Sequence, residues 1–272
     1  KAGDSVALIS QTRPAFFFCD LAIQSLAART VPVYSAVTAD DVFLILKDCD
    51  ARFVFVEDVI QYRKVESVRA QLKKSIQVVI LERTQDAGLL SLEKFVADAL
   101  PASAELKANE HDSWKDSVKR IASSEVATIV YTSGTQGLPK GVELTHKNFL
   151  VILQGLASTL DLTERDVTLF FLPVAHIMGR VEQMISIAVG LTNAYAENLS
   201  SLLDNMGEIK PTVLVSVPRV YEKIFASIQS KFSGENRVTR EAFKLALQTG
   251  LEYSRTLQAG RDLDPLLRLR YV

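Results

Sequence analysis

The chain lacks the features of secreted, membrane-spanning and nucleic-acid-binding proteins. It has only two cysteines in 272 residues. Cys19 and Cys49 both lie in apolar helical patterns, which indicates buried thiols and a reducing compartment. Its 31 basic and 32 acidic residues leave a net charge of −1, so no basic excess favours nucleic acid or an anionic membrane. No apolar run approaches about 18 residues, and no signal peptide opens the sequence. We therefore expect a cytoplasmic globular protein without a transmembrane helix or a nucleic-acid partner.

Glycine and hydroxyl residues are concentrated in one stretch, Thr132-Ser133-Gly134-Thr135-Gln136-Gly137-Leu138-Pro139-Lys140-Gly141. An apolar, strand-like segment precedes it, and Thr145 opens a helical pattern a few residues later. Such a loop between a strand and a helix is typical of phosphate binding, because glycines let backbone N–H groups approach the anion while hydroxyls and a lysine add donors and charge. The alternative is a flexible surface loop with a solvated lysine, and the length of the stretch and its Pro-Lys-Gly end argue against it. The prediction is an exposed phosphate loop that joins a strand to a turn.

Two common phosphate motifs do not match this stretch. The P-loop of nucleotide hydrolases requires glycine directly before lysine, whereas here Pro139 precedes Lys140 and Gly141 follows it. The dinucleotide fingerprint Gly-x-Gly-x-x-Gly also fails, because the residues after Gly134 are threonine, glutamine and glycine. The sequence therefore argues against an ordinary P-loop hydrolase.

Apolar segments alternate with helical patterns along most of the chain. The predicted strands are residues 6–9, 30–33, 53–56, 76–81, 126–131, 167–172, 192–196 and 213–217. A helix is predicted over residues 59–73, and the polar residues 102–120 indicate a linker or surface excursion. Continuous apolar strands separated by helices indicate an α/β fold with a parallel sheet covered on both faces. We expect two subdomains, residues 1–162 with the glycine-rich loop and residues 163–272.

The string from Tyr131 through Val142 resembles the phosphate loop of the adenylate-forming superfamily, which contains acyl-CoA synthetases, peptide-synthetase adenylation domains and luciferases. Gln136 departs from that pattern, which usually has a hydroxyl, small acidic or aliphatic residue there, but its amide can still donate to phosphate oxygens. Four further blocks resemble the family: Val6 to Pro14, Thr30 to Asp41, Phe171 to Arg180 and Ser216 to Lys223. The Leu-Pro-x-Ala-His form of the third block, with a helical stretch after the fourth, is similar to the long-chain fatty acyl-CoA synthetases.

This resemblance implies the parallel-sheet α/β subdomains of an acyl-CoA synthetase-like N-terminal domain. It also implies a ligase that uses ATP, Mg²⁺, coenzyme A and a long-chain fatty acid. The implied ATP-phosphate residues are Thr132, Ser133, Gly134, Thr135, Gln136, Gly137 and Lys140. Thr132 would also be a ligand of Mg²⁺, together with a residue outside this chain. The implied acyl-side residues are His176, Ile177, Met178, Gly179, Val217 and Pro218. Thr132, Lys140 and His176 would be the catalytic residues. The alternative interpretation of His176 is a buried histidine that holds the end of the preceding strand.

Several parts of the family's active site have no counterpart in this sequence. It has no Tyr-Gly-x-Thr-Glu segment, no ribose-binding aspartate block and no small C-terminal domain with its catalytic lysine. We therefore expect a fragment of the large N-terminal domain, inactive by itself. Three alternatives stay open: an aryl ligase, a short- or medium-chain ligase, and a non-catalytic nucleotide-binding module. Peripheral membrane contact and oligomeric state also stay open.

Overall fold

The computed structural model describes residues 1–86, 88–99, 108–133, 138–265 and 268, without the side chains of residues 108–113 and 133. It consists of two compact units, Lys1–Val215 and Ser216–Val272. The predicted subdomain boundary between residues 162 and 163 lies inside the first unit, and it stays a prediction.

Helices and strands alternate through most of the first unit. Its elements are β1 (Ser5–Ile9), α1 (Pro14–Ser25), β2 (Arg29–Val33), α2 (Ala39–Asp48), β3 (Phe53–Val56), α3 (Val59–Arg69), β4 (Gln77–Ile80), α4 (Leu92–Ala99), α5 (Ala108–Lys119), β5 (Val126–Ser133), β6 (Pro139–Thr145), α6 (His146–Thr159), β7 (Val167–Phe170), α7 (Ile177–Val189), β8 (Thr192–Tyr195) and α8 (Leu202–Ile209). The second unit contains α9 (Pro218–Ser233) and α10 (Arg237–Gln258).

The described strands form two sheets. The larger has the order β4-β3-β1-β2-β5-β6, and the smaller pairs β7 with β8 in parallel. All neighbours in the larger sheet run parallel except β6, which is antiparallel to β5. Three consecutive residues of β1, Ala7, Leu8 and Ile9, have no exposed surface, as a strand covered on both faces requires. The predicted α/β fold with a mainly parallel sheet is confirmed.

The predicted buried thiols are also confirmed. Cys19 and Cys49 are free and buried, and burial raises the pKa of each thiol to about 12. None of the helices in the described part of the chain is both long and apolar enough to cross a membrane.

Three predicted elements differ in the structure. Part of the segment predicted as a linker is instead the helix α5. Its Trp114 and Val118 are four residues apart, so they lie on one helix face although the surrounding sequence is polar. α3 ends at Arg69, four residues early, where the Arg69 guanidinium donates to the carbonyl of Ile76 before β4. The expected strand at 213–217 is reduced to one isolated bridge with β7, because prolines bracket that segment and the second of them starts α9.

Candidate functional site

The predicted phosphate loop lies between two antiparallel strands. Thr132 near the end of β5 is directly opposite Lys140 at the start of β6, and both side chains are exposed. The expected passage from strand through loop to a turn is wrong, because residues 139–145 continue as β6 before α6 begins. The alternation of Val142 and Leu144 with polar residues is the period-two signal of a strand. The predicted phosphate residues 134–137 and the side chain of Ser133 lie outside the described residues, and their roles stay predictions.

Register places Thr132 and Lys140 on one face of the hairpin. Successive side chains of a strand point to opposite faces, so the neighbouring pair Tyr131 and Gly141 lies on the other face. A hydroxyl and an ammonium group from the two ends of the loop therefore share a surface. That arrangement suits the binding of a polyanion, with one group offering a hydrogen bond and the other a positive charge.

Gly141 is required by the packing of Tyr131. A Cβ atom at Gly141 would lie 2.8 Å from Cγ2 of Ile129 and 3.1 Å from Cζ of Tyr131. The Tyr131 hydroxyl donates to Oδ2 of Asp48 at 2.5 Å. Burial, together with this hydrogen bond, raises the pKa of the phenol. The last glycine of the Pro-Lys-Gly sequence therefore lets an aromatic side chain attach the hairpin to α2.

A second feature lies where the parallel strands end. A cavity of about 240 Å³ is formed by residues that follow β1, β2, β7 and β8. Its lining is Ser10, Gln11, Thr12, Tyr34, Ser35, Phe171, Pro173, Val174, Ala175, Ala196, Glu197, Asn198 and Leu199. Ligands of open α/β sheets bind outside the carboxyl ends of the strands. Thr12 Oγ1 donates to the carbonyl oxygen of Leu172 at 2.7 Å, which joins the loop after β1 to the segment after β7.

His176 stands beside this cavity at the start of α7. It is the N-cap residue, its side chain makes no capping hydrogen bond, and it is exposed. The alternative of a buried histidine is therefore wrong. Its ring packs in a T-shaped arrangement against the ring of Tyr34, with centroids 5.0 Å apart and planes at 79°. Ile177 and Met178 in the first turn of α7 are 39% and 51% exposed, so three neighbouring acyl-side candidates present their side chains to solvent.

The remaining acyl-side candidates have other positions. Val217 is the N-cap of α9 in the second unit, Pro218 is its first residue, and both are exposed. Gly179 is buried in α7, and a Cβ atom there would lie 2.5 Å from the carbonyl oxygen of Pro173. Gly179 therefore allows α7 to approach the turn before it, and its predicted role on the acyl side stays a prediction.

Replacing Gly179 by alanine is expected to destabilise the fold by roughly 1–3 kcal/mol, because the new methyl group would displace a backbone carbonyl. Gly155→Ala in α6 is the matched control, since a Cβ there meets nothing within 4 Å. That change should stabilise the helix by about 0.5–1 kcal/mol. Denaturation midpoints of the two variants compare them directly. Equal shifts would show that the Pro173 contact contributes nothing.

Two titratable side chains hydrogen-bond to segments that include or precede lining residues of the cavity. Lys64 Nζ donates to the carbonyl oxygens of Ser35 and Val37 at 2.7 and 2.8 Å, and desolvation lowers its pKa. Glu182 in α7 accepts a hydrogen bond of 3.0 Å from Thr168, and burial raises its pKa to about 8. Sequence analysis gave these residues no role, because the partners lie 14 to 29 positions apart and no local pattern relates them. In the described part of the chain, no three His, Cys, Asp or Glu residues form a metal-binding cluster.

Comparisons with known proteins agree with this architecture. The family model for AMP-binding enzymes matches residues 1–269. Long-chain-fatty-acid–CoA ligase FadD15 of Mycobacterium tuberculosis is 31% identical over 96% of this chain and 42% of its own length. The peroxisomal long chain acyl-CoA synthetase 6 of Arabidopsis thaliana is 30% identical over 97% of this chain and 37% of its own. The chain thus spans about two fifths of the length of these curated relatives.

Solved structures show the same fold. A putative long-chain-fatty-acid CoA ligase from Rhodopseudomonas palustris has a TM-score of 0.68 at 21% identity, covering 83% of this chain and 53% of that one. The N-terminal domain of FACL13 from Mycobacterium tuberculosis has a TM-score of 0.62 at 20% identity, covering 80% of this chain and 50% of that one.

Proposed function

The chain belongs to the family of AMP-binding enzymes, and on that basis we propose that it is part of an AMP-forming long-chain fatty-acid–CoA ligase. In the first step, a fatty carboxylate attacks the α-phosphate of ATP and gives an acyl-adenylate and pyrophosphate. In the second step, the thiol of coenzyme A displaces AMP and forms the thioester. The names of the curated relatives support the long-chain assignment.

The observation that carries the proposal is the placement of Thr132 opposite Lys140 at the two ends of the loop. Adenylation requires little acid–base catalysis, because a carboxylate is already ionised at neutral pH. It requires neutralisation of the phosphates and alignment of the two reactants. Lys140 supplies a positive charge for the β- and γ-phosphates and the departing pyrophosphate. The Thr132 hydroxyl and the loop backbone supply hydrogen bonds.

Mg²⁺ fits this arrangement as a companion of ATP. The hydroxyl of the exposed residue Thr132 offers one oxygen ligand, and a magnesium ion in such a site would take its other ligands from phosphates, water and the residue outside this chain. When bound, the ion would neutralise phosphate charge. The chain's own residues would hold the nucleotide from the two strands of the hairpin.

Acyl recognition is assigned to the start of α7. His176, Ile177 and Met178 present a ring and two apolar side chains to solvent, and Tyr34 connects His176 to the cavity at the strand ends. An apolar surface with one polar ring is suited to the region where a fatty acid's carboxyl group meets its chain. The acyl-side roles that the resemblance implies for Gly179, Val217 and Pro218 stay predictions.

The test uses the product of the complete open reading frame that encodes this chain. Pyrophosphate release is measured with ATP, Mg²⁺ and carboxylic acids of increasing chain length, with an aryl acid and acetate as comparisons. The expected result is release that requires ATP and is fastest with long-chain fatty acids, whereas the 272-residue chain alone gives none. Faster release with the aryl acid or acetate would overturn the long-chain assignment. Pyrophosphate release by the 272-residue protein alone, at the rate of the complete gene product, would contradict the expectation that this protein is inactive by itself.

A further inference from the structure

Arg180 and Asp20 form a fully enclosed ion pair. Both side chains have 0% exposure, and Arg180 Nη2 lies 2.9 Å from Asp20 Oδ1. The bond joins α7 to α1 across 160 positions of sequence. Gln24 Nε2 donates to the same oxygen at 2.9 Å, and the guanidinium lies 5.8 Å from the centroid of the Phe149 ring, where a cation–π attraction operates. Neither the phosphate loop nor the acyl side as described above uses this pair.

Stability by itself does not account for this ion pair. Moving two charges out of water costs more free energy than their mutual attraction provides, unless hydrogen bonds satisfy their remaining polar atoms. Nε and Nη1 of Arg180 and Oδ2 of Asp20 have no hydrogen-bond partner among the residues that the structure describes. Apolar side chains of similar volume would avoid this desolvation cost. What apolar side chains could not supply is a directional bond that fixes α7 relative to α1.

That bond lies one helical turn from His176. The backbone N–H of Arg180 donates to the carbonyl of His176 at 3.2 Å. Before His176, Thr12 Oγ1 donates to the carbonyl of Leu172 at 2.7 Å. The segment that carries His176 is therefore fixed at both ends to the region from β1 to α1, the first end by Thr12 and the second by Arg180.

We propose that Arg180 is a positioning residue for acyl recognition. Its bond to Asp20 fixes the first turn of α7 and so holds His176 against Tyr34 at the edge of the cavity. Arg180 is enclosed and acts through His176, without contact to a substrate. The inference rests on the proposed function, because it assigns Arg180 a part in binding the fatty acid and none in binding ATP.

The test compares two changes in the complete gene product. The double variant Arg180→Met/Asp20→Leu removes both charges and keeps the approximate volume, while Arg180→Lys keeps the charge and loses the planar fork. Both should raise the KM for a long-chain fatty acid by about tenfold, since ångström-scale misplacement costs up to about 100-fold. The KM for ATP should stay within about twofold. The control Arg83→Met/Glu93→Leu removes an exposed pair of 2.9 Å and should change neither constant.

Thermal stability measured on the same variants separates positioning from a purely structural role. An unchanged KM for the fatty acid in the folded double variant would overturn the proposal, and lower thermal stability together with that unchanged KM would show a purely structural role. If the double variant does not fold, Arg180→Lys decides, and an unchanged KM in that variant overturns the proposal as well. An unmodified protein without fatty-acid-dependent pyrophosphate release would instead contradict the proposed function and, with it, the role given to Arg180.

Discussion

Replacing Lys140 by alanine in the complete gene product is expected to weaken adenylation by about 1–3 kcal/mol, the scale of a charge-assisted contact. This corresponds to roughly a 5- to 150-fold lower kcat/KM for ATP. Lys140 is exposed opposite Thr132, where its ammonium group can meet the phosphates. The loss should be the same for fatty acids of every chain length, because no part of the acyl chain contacts this lysine in the proposed mode of binding.

The matched control is Lys73→Ala, which removes another exposed lysine outside the proposed site. It should leave kcat/KM within about twofold of the unmodified protein. Steady-state kinetics with ATP as the varied substrate, repeated at several chain lengths, compares the two variants. A decrease in kcat/KM for Lys140→Ala that changes with chain length, or an equal decrease for Lys73→Ala, would argue against phosphate binding by Lys140.

His176→Ala is expected to change the choice among fatty acids and to leave ATP binding unaltered. The ring contacts Tyr34 at a centroid distance of 5.0 Å, so its removal should enlarge and reshape one edge of the proposed acyl side. Ratios of kcat/KM between long and medium chains should shift by on the order of tenfold, the scale at which apolar pockets discriminate small differences in substrate size. The measurement is a chain-length series with the apparent ATP affinity determined in parallel.

Stability provides the internal check on that variant. His176 is exposed and makes no capping hydrogen bond with its side chain, so the loss of unfolding free energy should stay near the roughly 0.5–1.5 kcal/mol of one aromatic contact. The loss of unfolding free energy in His146→Ala is a suitable comparison, since His146 is a half-buried histidine at the first position of another helix, α6. An unchanged chain-length profile with an altered ATP affinity alone would refute the acyl-side assignment of His176.

Much of the larger sheet follows from local sequence. The strand β3 is a run of four β-formers, Phe53–Val56, and Thr38 caps the start of α2 in a complete capping box with Asp41. Each of these signals depends on residues only a few positions apart. The tertiary structure is consistent with them, so the predicted elements form. β6 was missed because the Pro-Lys-Gly end of the motif indicated a turn, although the alternation that follows it is typical of a strand.

The supporting parts of the candidate site could not be predicted in the same way. Asp20 lies in an apolar helix pattern, and only the buried Arg180, 160 residues later, explains why a charge is tolerated there. The bond between Tyr131 and Asp48 spans 83 residues. Each pairing depends on how the elements pack, which residue spacing does not encode. The family blocks located the candidate segments, while the contacts that hold them became visible only in the folded chain.

The central claim is that a fatty carboxylate attacks the α-phosphate of ATP. It is tested most directly with a long-chain fatty acid whose two carboxyl oxygens are ¹⁸O, incubated with ATP, Mg²⁺, coenzyme A and the complete gene product. Attack at the α-phosphate, followed by cleavage of the acyl–oxygen bond by coenzyme A, leaves one labelled oxygen on AMP and none on pyrophosphate. Mass spectrometry of the products should therefore find AMP with a single ¹⁸O. Unlabelled AMP, or label in inorganic phosphate or pyrophosphate, would contradict the claim.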